Sequence, residues 1–194
     1  MEFEGRRQDV ASSPMTVSEL TGKRVALVGL GAENGMLAAY LSQRGMRFSV
    51  CDVRADRRSS LSSLPWVSSV DDWNLGEGYL ENLDRYEVLF RTPGISPLRP
   101  QLASAAADGV LISSQMELFF NSCAAPILGV TGTKGKGTTV SAVVEMLAEG
   151  PYRQVWLGGN IGTPPIQFVD DVAADDIVVL ELSSFQLHEL KDLP

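Results

Sequence analysis

The sequence has few cysteines, one histidine and no long apolar run, and each scarcity excludes a class of protein. Two cysteines among 194 residues, Cys51 and Cys123, could form a single disulfide at most, so we expect a reduced, cytoplasmic protein and not a secreted disulfide scaffold. No apolar run approaches the roughly 20 residues that a transmembrane helix requires. The single histidine, His188, is predicted to be a surface helix residue and not a catalyst.

Positive charge is also scarce. Lysine and arginine total 16 residues against 24 aspartates and glutamates, which gives a formal net charge of -8. We therefore expect neither a nucleic acid nor an anionic membrane as a partner, because both favour a basic protein face. A net-acidic protein that handles phosphates must bind them locally, with backbone N–H groups, helix N-termini and a few lysines.

Short apolar runs alternate with helical patterns along most of the chain. Residues 1–20 are the exception, and we predict a flexible leader there that is not a secretory signal. The alternation predicts an α/β fold of doubly wound layers with right-handed crossovers. Residues 54–83 show no pattern that orders them. The predicted strands are 23–29, 47–52, 86–91, 110–112, 126–130, 154–157 and 176–182, and the predicted helices are 34–44, 98–107, 115–120 and 138–149.

A glycine-rich turn follows the first predicted strand. Gly29, Gly31 and Ala32 would let the backbone approach a diphosphate, and the helix N-terminus adds roughly half a positive charge. Asp52, one βαβ half-turn later, could accept hydrogen bonds from a ribose or base. Asn34, however, stands where G-x-G-x-x-G requires a third glycine, and Glu33 would bring negative charge to a diphosphate. A nucleotide site and a tight turn that only packs helix on strand therefore both remain open.

A second glycine-rich turn, TGTKGKGTT at residues 131–139, is more specific because an apolar strand precedes it and an amphipathic helix follows. Its N–H groups would surround a β-phosphate, and the Lys136 ammonium would reach the β- and γ-oxygens. Val130 replaces the first glycine of the P-loop pattern, and Gly137 replaces its Mg²⁺-binding hydroxyl, so Thr138 is the nearest substitute. The predicted ATP-binding residues are Gly132, Thr133, Lys134, Gly135, Lys136, Gly137, Thr138 and Thr139.

Because each glycine turn opens its own βαβ series, we predict two domains that meet near residues 121–125. A Rossmann-like domain would occupy residues 21–121, and residues 122–194 would begin a truncated P-loop-type ATP-binding domain. Glu181 ends a predicted strand in this second series. An acid at that position can hold the Mg²⁺ of a bound nucleotide, although a solvated strand end is the plain alternative.

Three segments together resemble the Mur ligases of peptidoglycan synthesis: TGTKGKGTT, GGNIGTPPI at 158–166 and LELSSFQL at 180–187. The first-domain segments GLG, CDVR and RTPGISP agree with this resemblance, which covers about residues 22–190. It implies an ATP- and Mg²⁺-dependent ligase that joins UDP-N-acetylmuramoyl-L-alanine to D-glutamate through an acyl phosphate and is a monomer when complete.

The resemblance also implies roles for individual residues. Lys136, Asn160 and Glu181 would be catalytic, with Glu181 and Thr138 binding the metal ion. The residues implied to bind UDP are Gly29, Gly31, Ala32, Glu33, Asp52, Arg54, Thr92, Pro93 and Gly94.

Family members continue with further catalytic residues and a third domain, so we expect a truncated ligase that binds UDP ligands weakly and does not turn over. We also expect strand 176–182 to lie near an unprotected sheet edge, which would favour aggregation. The alternatives are another Mur-type or folylpolyglutamate-type ligase, a nicotinamide-dependent dehydrogenase that uses the Gly29 turn and Asp52, and a non-catalytic nucleotide-binding module.

Overall fold

A computed structural model of the chain describes residues 15–190, and their strands form two parallel sheets. The first sheet has five strands in the order β3-β2-β1-β4-β5. Its strand order reverses direction between β1 and β4, so a crevice is expected outside the carboxyl ends of these two strands. The strands are β1 (Val25–Val28), β2 (Phe48–Asp52), β3 (Val70–Leu75), β4 (Val88–Arg91) and β5 (Leu111–Ser113).

Helices cover this sheet because its central strands are apolar on both faces. Every residue of β1, β2 and β4 is buried, as a parallel sheet covered on both sides requires. The helices are α1 (Ala32–Gln43), the single turn α2 (Arg57–Ser60), α3 (Pro100–Ala107) and α4 (Gln115–Ser122).

The second sheet has three parallel strands in the order β6-β8-β7: β6 (Ile127–Val130), β7 (Val155–Gly159) and β8 (Ile177–Glu181). Two helices accompany it, α5 (Lys136–Ala148) and α6 (Ser184–Glu189). The prediction of an α/β fold with parallel strands is confirmed. The prediction that strand 176–182 lies at a sheet edge is wrong, because β8 pairs with β6 on one side and β7 on the other.

The two sheets share one apolar cluster. Phe119 of α4 meets Phe168 edge-on at 5.6 Å between ring centroids, and Trp156 of β7 stacks on Phe168 at 5.0 Å. Two residues near the end of α1 also contact the chain that follows β7. The Tyr40 hydroxyl donates to Asp170 at 3.1 Å, and Arg44 forms an ion pair with the same carboxylate. Packing therefore continues from the first sheet to the second.

Asp176 anchors the start of β8 from a buried position. Its Oδ2 accepts hydrogen bonds from the Ala173 N–H, the Trp156 indole and Arg153, at 2.9, 2.9 and 2.6 Å. Burial alone would raise the pKa of Asp176, but these hydrogen bonds and the charge of Arg153 outweigh burial and lower the pKa to about 2. The carboxylate therefore stays ionised and keeps the turn before β8 in place.

Two expectations about the first domain need correction. Residues 17–20 do not belong to a flexible leader, because they form a 3-10 turn that buries Val17 and Leu20 in the core, while residues 1–14 lie outside the described part. Residues 54–83, for which the sequence predicted no helix or strand, include α2 and the edge strand β3. Among residues 15–190, no helix is both long and apolar enough to cross a bilayer.

Candidate functional site

The first glycine turn lies under the loop that follows β4. Gly29 has a φ of +77°, and a Cβ there would stand 2.5 Å from the Thr92 methyl carbon and 2.7 Å from Ile95 Cδ1. A Cβ on Gly31 would stand 2.9 Å from the Thr92 hydroxyl oxygen. Only glycine permits this approach. The structure thus brings Gly29, Gly31 and Thr92 together at the carboxyl edge of the first sheet, with Pro93 half-buried and Gly94 exposed beside them.

Asn34 explains why the turn departs from the glycine pattern. Its buried side-chain amide donates to the Gly29 carbonyl at 2.8 Å and to the Phe90 carbonyl at 2.9 Å. These bonds tie the turn to β4 in a way that a glycine could not. From the sequence, Asn34 was interpreted only as a departure from the glycine pattern. An asparagine at the start of a helix beside a glycine turn can, however, indicate a side chain that hydrogen-bonds to the backbone.

Asp52 organises the same turn. Its Oδ2 accepts from the Leu30 N–H at 2.7 Å and lies 3.2 Å from Arg57 Nε, and its Oδ1 accepts from the Arg54 N–H at 2.9 Å. Both oxygens are engaged within the chain, so the acid positions the turn, and its role toward a nucleotide stays a prediction. The Arg54 side chain pairs with Asp56 at the surface, at 2.8 Å.

One hydrogen bond joins the first glycine turn to the second sheet. The Gln186 Nε2 donates to Glu33 Oε1 at 2.8 Å across 153 residues of sequence. Burial raises the pKa of Glu33 above its ordinary value, and Gln186 and the charge of Arg91 oppose that rise. Gln186 was not singled out from the sequence, although S-S-F-Q is a capping box, and Ser183 and Gln186 do form one at the start of α6.

The second glycine turn is exposed and carries its lysine at the start of a helix. Gly135 caps α5 in a left-handed conformation, and Lys136 is the first helical residue. The Lys136 ammonium donates to the Gly132 carbonyl at 2.9 Å, so the side chain folds back over the loop. The Thr139 hydroxyl donates a hydrogen bond to the Gly135 carbonyl at 3.0 Å. Thr133 and Lys134 are exposed.

Glu181 faces the beginning of α5. It ends the central strand β8 and is 8% exposed, and a Cβ placed on Gly137 would lie 3.4 Å from its Oε2. The Asn160 N–H donates to the Glu181 carbonyl at 2.9 Å, so Asn160 is beside the same strand end. Thr138 is exposed and, one helical residue on, is turned about 100° from the direction in which Gly137 faces Glu181. Glu181, Gly137 and Asn160 thus meet at one edge, and the role of Thr138 in metal binding stays a prediction.

Comparisons with known proteins find sequence matches over most of the chain. Residues 23–114 match the family described as Mur ligase MurD-like, N-terminal domain. A UDP-N-acetylmuramoylalanine–D-glutamate ligase from Acetivibrio thermocellus is 41% identical over 177 residues, which cover 91% of this chain and 38% of the relative. The ligase of the same name from Clostridium botulinum strain Hall is 42% identical over 172 residues, covering 89% and 37%.

This chain therefore spans about two fifths of the length of these relatives. Among solved structures, the UDP-N-acetylmuramate:L-alanyl-gamma-D-glutamyl-meso-diaminopimelate ligase from Neisseria meningitides is 22% identical, with a TM-score of 0.46 over 82% of this chain and 52% of that one. That similarity is too low to support a conclusion of its own. On these sequence matches, residues 23–114 form a Mur ligase MurD-like N-terminal domain, and about nine tenths of the chain is similar to ligases named UDP-N-acetylmuramoylalanine–D-glutamate ligase.

Proposed function

We propose that the chain supplies the UDP-substrate site and the ATP site of a ligase that adds D-glutamate to UDP-N-acetylmuramoyl-L-alanine. Residues 21–121 form the UDP-binding domain, and residues 122–194 begin the P-loop-type ATP-binding domain. The observation that carries the proposal is the second sheet edge, where Lys136 on an exposed glycine loop and the Glu181 carboxylate flank the start of α5. The curated relatives named as D-glutamate ligases support the choice of reaction.

The residues of this edge fit the phosphates of ATP. The loop from Thr131 to Gly135 is exposed, and α5 directs its first N–H groups and its positive dipole end toward the loop. The Lys136 ammonium donates to the Gly132 carbonyl, and a phosphate oxygen can replace that carbonyl as its partner. Glycines 132, 135 and 137, the threonines and Lys134 complete the set that surrounds the phosphates.

The reaction balances with two displacements. The alanyl carboxylate attacks the γ-phosphorus of ATP, the bond to the β-phosphate oxygen breaks, and ADP leaves. The amine of D-glutamate then attacks the acyl phosphate carbonyl, so that a C–N bond forms, the C–O bond to phosphate breaks, and the amine nitrogen releases a proton as phosphate leaves. Lys136 neutralises charge on the transferring phosphoryl group, and Asn160, next to Glu181, donates a side-chain amide hydrogen bond to the oxygens at the substrate–phosphate junction.

In the first domain the carboxyl edge between β1 and β4 holds the UDP part of the substrate. Gly31 and Ala32 bring backbone N–H groups to the diphosphate, and Thr92 closes the turn from the β4 side. Gly29 gives the turn its shape, while its own N–H donates to the Cys51 carbonyl at 2.7 Å. The exposed Arg54 guanidinium can exchange Asp56 for a ligand, because an exposed ion pair is weak. Asp52 keeps these elements in register.

A crystal of this chain soaked with Mg²⁺ and a non-hydrolysable ATP analogue tests the proposal. We expect the triphosphate to lie in the 131–137 loop, with the Lys136 ammonium within hydrogen-bond distance of the β- and γ-oxygens. Nucleotide bound elsewhere with this loop empty would reject the ATP site. Binding of UDP-N-acetylmuramoyl-L-alanine, followed by titration calorimetry, tests the first domain separately.

The magnesium ion of the nucleotide would be held by few protein groups. Across residues 15–190, no three His, Cys, Asp or Glu side chains cluster as a metal site, and Glu181 is the carboxylate that faces the loop. Gly137 has no hydroxyl at the position where P-loops supply a Mg²⁺ ligand. The bound Mg²⁺ would stabilise the charge on the transferring phosphoryl group.

In Gly137→Ser, the Mg²⁺ concentration needed for half-maximal binding of the ATP analogue should therefore fall about fivefold, the value of one added polar contact. A serine Cβ fits, because the nearest atom, Glu181 Oε2, is 3.4 Å away. Mg²⁺ titrations at fixed analogue concentration measure the change. Gly137→Ala, which adds the same Cβ without the hydroxyl, is the matched control, and equal Mg²⁺ dependence in the serine and alanine variants would contradict this expectation.

A further inference from the structure

The start of α1 is prepared for an anion. Gly31 is the N-cap residue, and the first helical bond runs from the Gly35 N–H to the Gly31 carbonyl at 2.9 Å. Within the described part of the chain, the N–H groups of Ala32, Glu33 and Asn34 have no acceptor. The dipole of this 12-residue helix adds positive potential at the same point. The diphosphate cradle assigned above to the Gly29–Gly31 turn includes these N–H groups.

A carboxylate of the chain itself belongs to the first turn of this helix. Glu33 is in the first turn of α1, and its Oε1 is held by Gln186 from α6 at 2.8 Å. Its Oε2 is buried and has no hydrogen-bond partner. An ionised oxygen in that state lacks a hydrogen bond, although the charge of Arg91 acts on the same carboxylate. A diphosphate brought to the same helix end would be repelled by the negative charge of Glu33.

The bond to Gln186 also ties the cradle to the second sheet. Gln186 belongs to the capping box at the start of α6, and its backbone N–H is held by the Ser183 hydroxyl at 3.1 Å. Ser183 follows Glu181 by two residues. The contact therefore connects the substrate turn to the strand end that faces the ATP loop.

We propose that Glu33 gates the diphosphate cradle: the negative charge of its carboxylate, held by Gln186 in the first turn of α1, disfavours an anionic ligand, and a nucleotide-sugar diphosphate enters as that hydrogen bond opens. The inference rests on the proposed UDP site at the same turn. It makes Glu33 a determinant of ligand affinity that opposes binding, in contrast to the contact residue that the family resemblance implied. Opening of the gate also frees Gln186, so occupancy of the first site alters the segment after Glu181.

Calorimetric titration of the 194-residue chain with UDP-N-acetylglucosamine tests the gate. Glu33→Gln keeps the size of the side chain and removes its charge, so we expect affinity to rise about tenfold. Glu117→Gln is the matched control, because Glu117 is also a half-buried glutamate in the first turn of a helix, α4, where it accepts from the Ser113 hydroxyl at 2.9 Å. Its affinity should equal that of the wild type.

A second readout follows the hydrogen bond directly. In the wild-type chain the side-chain amide NMR signal of Gln186 should shift as UDP-N-acetylglucosamine saturates, and the signal in Glu33→Gln should show a smaller change. Equal affinities for wild type and Glu33→Gln, with an unmoved Gln186 signal, would overturn the gate alone. No binding to any of the three folded proteins at millimolar ligand would overturn both the gate and the proposed UDP site.

Discussion

Lys136→Ala is expected to weaken binding of Mg²⁺ and a non-hydrolysable ATP analogue by roughly 10- to 100-fold, the value of one or two charge-assisted hydrogen bonds. The ammonium is the only cationic group that the structure, over residues 15–190, shows folded back over the 131–137 loop, where it contacts the Gly132 carbonyl. Its removal leaves the N–H groups and the helix dipole in place, so residual weak binding should persist. Titration calorimetry at fixed Mg²⁺ measures the loss.

Lys23→Ala is the control for this experiment. Lys23 precedes β1 in the other sheet, where its charge acts on Glu19 and Glu87, so its loss changes the net charge equally without touching the site. Analogue binding should be unchanged. Equal binding by the Lys136→Ala variant and the wild type would show that the loop does not hold the triphosphate, and the ATP site would have to be sought elsewhere.

Gly159→Ala should destabilise the fold by about 2–4 kcal/mol, because the added Cβ meets backbone atoms that cannot rotate away. A Cβ on Gly159 would lie 2.2 Å from the Glu181 carbonyl oxygen and 2.9 Å from its nitrogen, and the residue has a φ of +101°. Relief requires β7 to move away from β8. Urea unfolding followed by circular dichroism measures the loss, and the same displacement should weaken ATP-analogue binding, since Glu181 moves with its strand.

Gly35→Ala is the comparison that isolates the clash. Gly35 lies inside α1 with nothing within 4 Å of a built Cβ, so alanine there should be neutral or stabilise the protein by up to about 1 kcal/mol. A Gly159→Ala variant as stable as the wild type would mean that the strands adapt without cost, which would remove the structural reason for glycine at the end of β7.

Local patterns predicted most of the fold because its central strands are short and mainly apolar. β1, β2 and β4 are buried along their whole length, which is how parallel strands are recognised in a sequence. β3 was not found, since it reads VDDWNL and its two aspartates are exposed at the sheet edge. The central place of β8 could not be read either, because a strand's own residues do not encode its order in a sheet.

The site was predictable where one segment carries the chemistry and unpredictable where distant segments meet. The 131–139 loop, with its lysine between a strand and a helix, was located from its spacing alone. The Glu33–Gln186 contact joins residues 153 positions apart. Hydrophobic periodicity in a sequence predicts local helices and strands and cannot predict such a long-range pair. Asp52 was recognised as an acid at a strand end, but its partners, Leu30 in the turn and Arg54 and Arg57 after β2, depend on how these segments fold together.

The aromatic contact between Phe119 and Phe168 bears on how the molecule loses its structure. The first ring comes from the chain before β6 and the second from the chain after β7, and both belong to one apolar cluster with α1. Unfolding of either sheet removes apolar contacts that the other sheet needs, so the two are expected to unfold as a single cooperative unit. The connection near residues 121–125 then marks where the polypeptide passes from one sheet to the next, and separating the halves there would expose a shared interior.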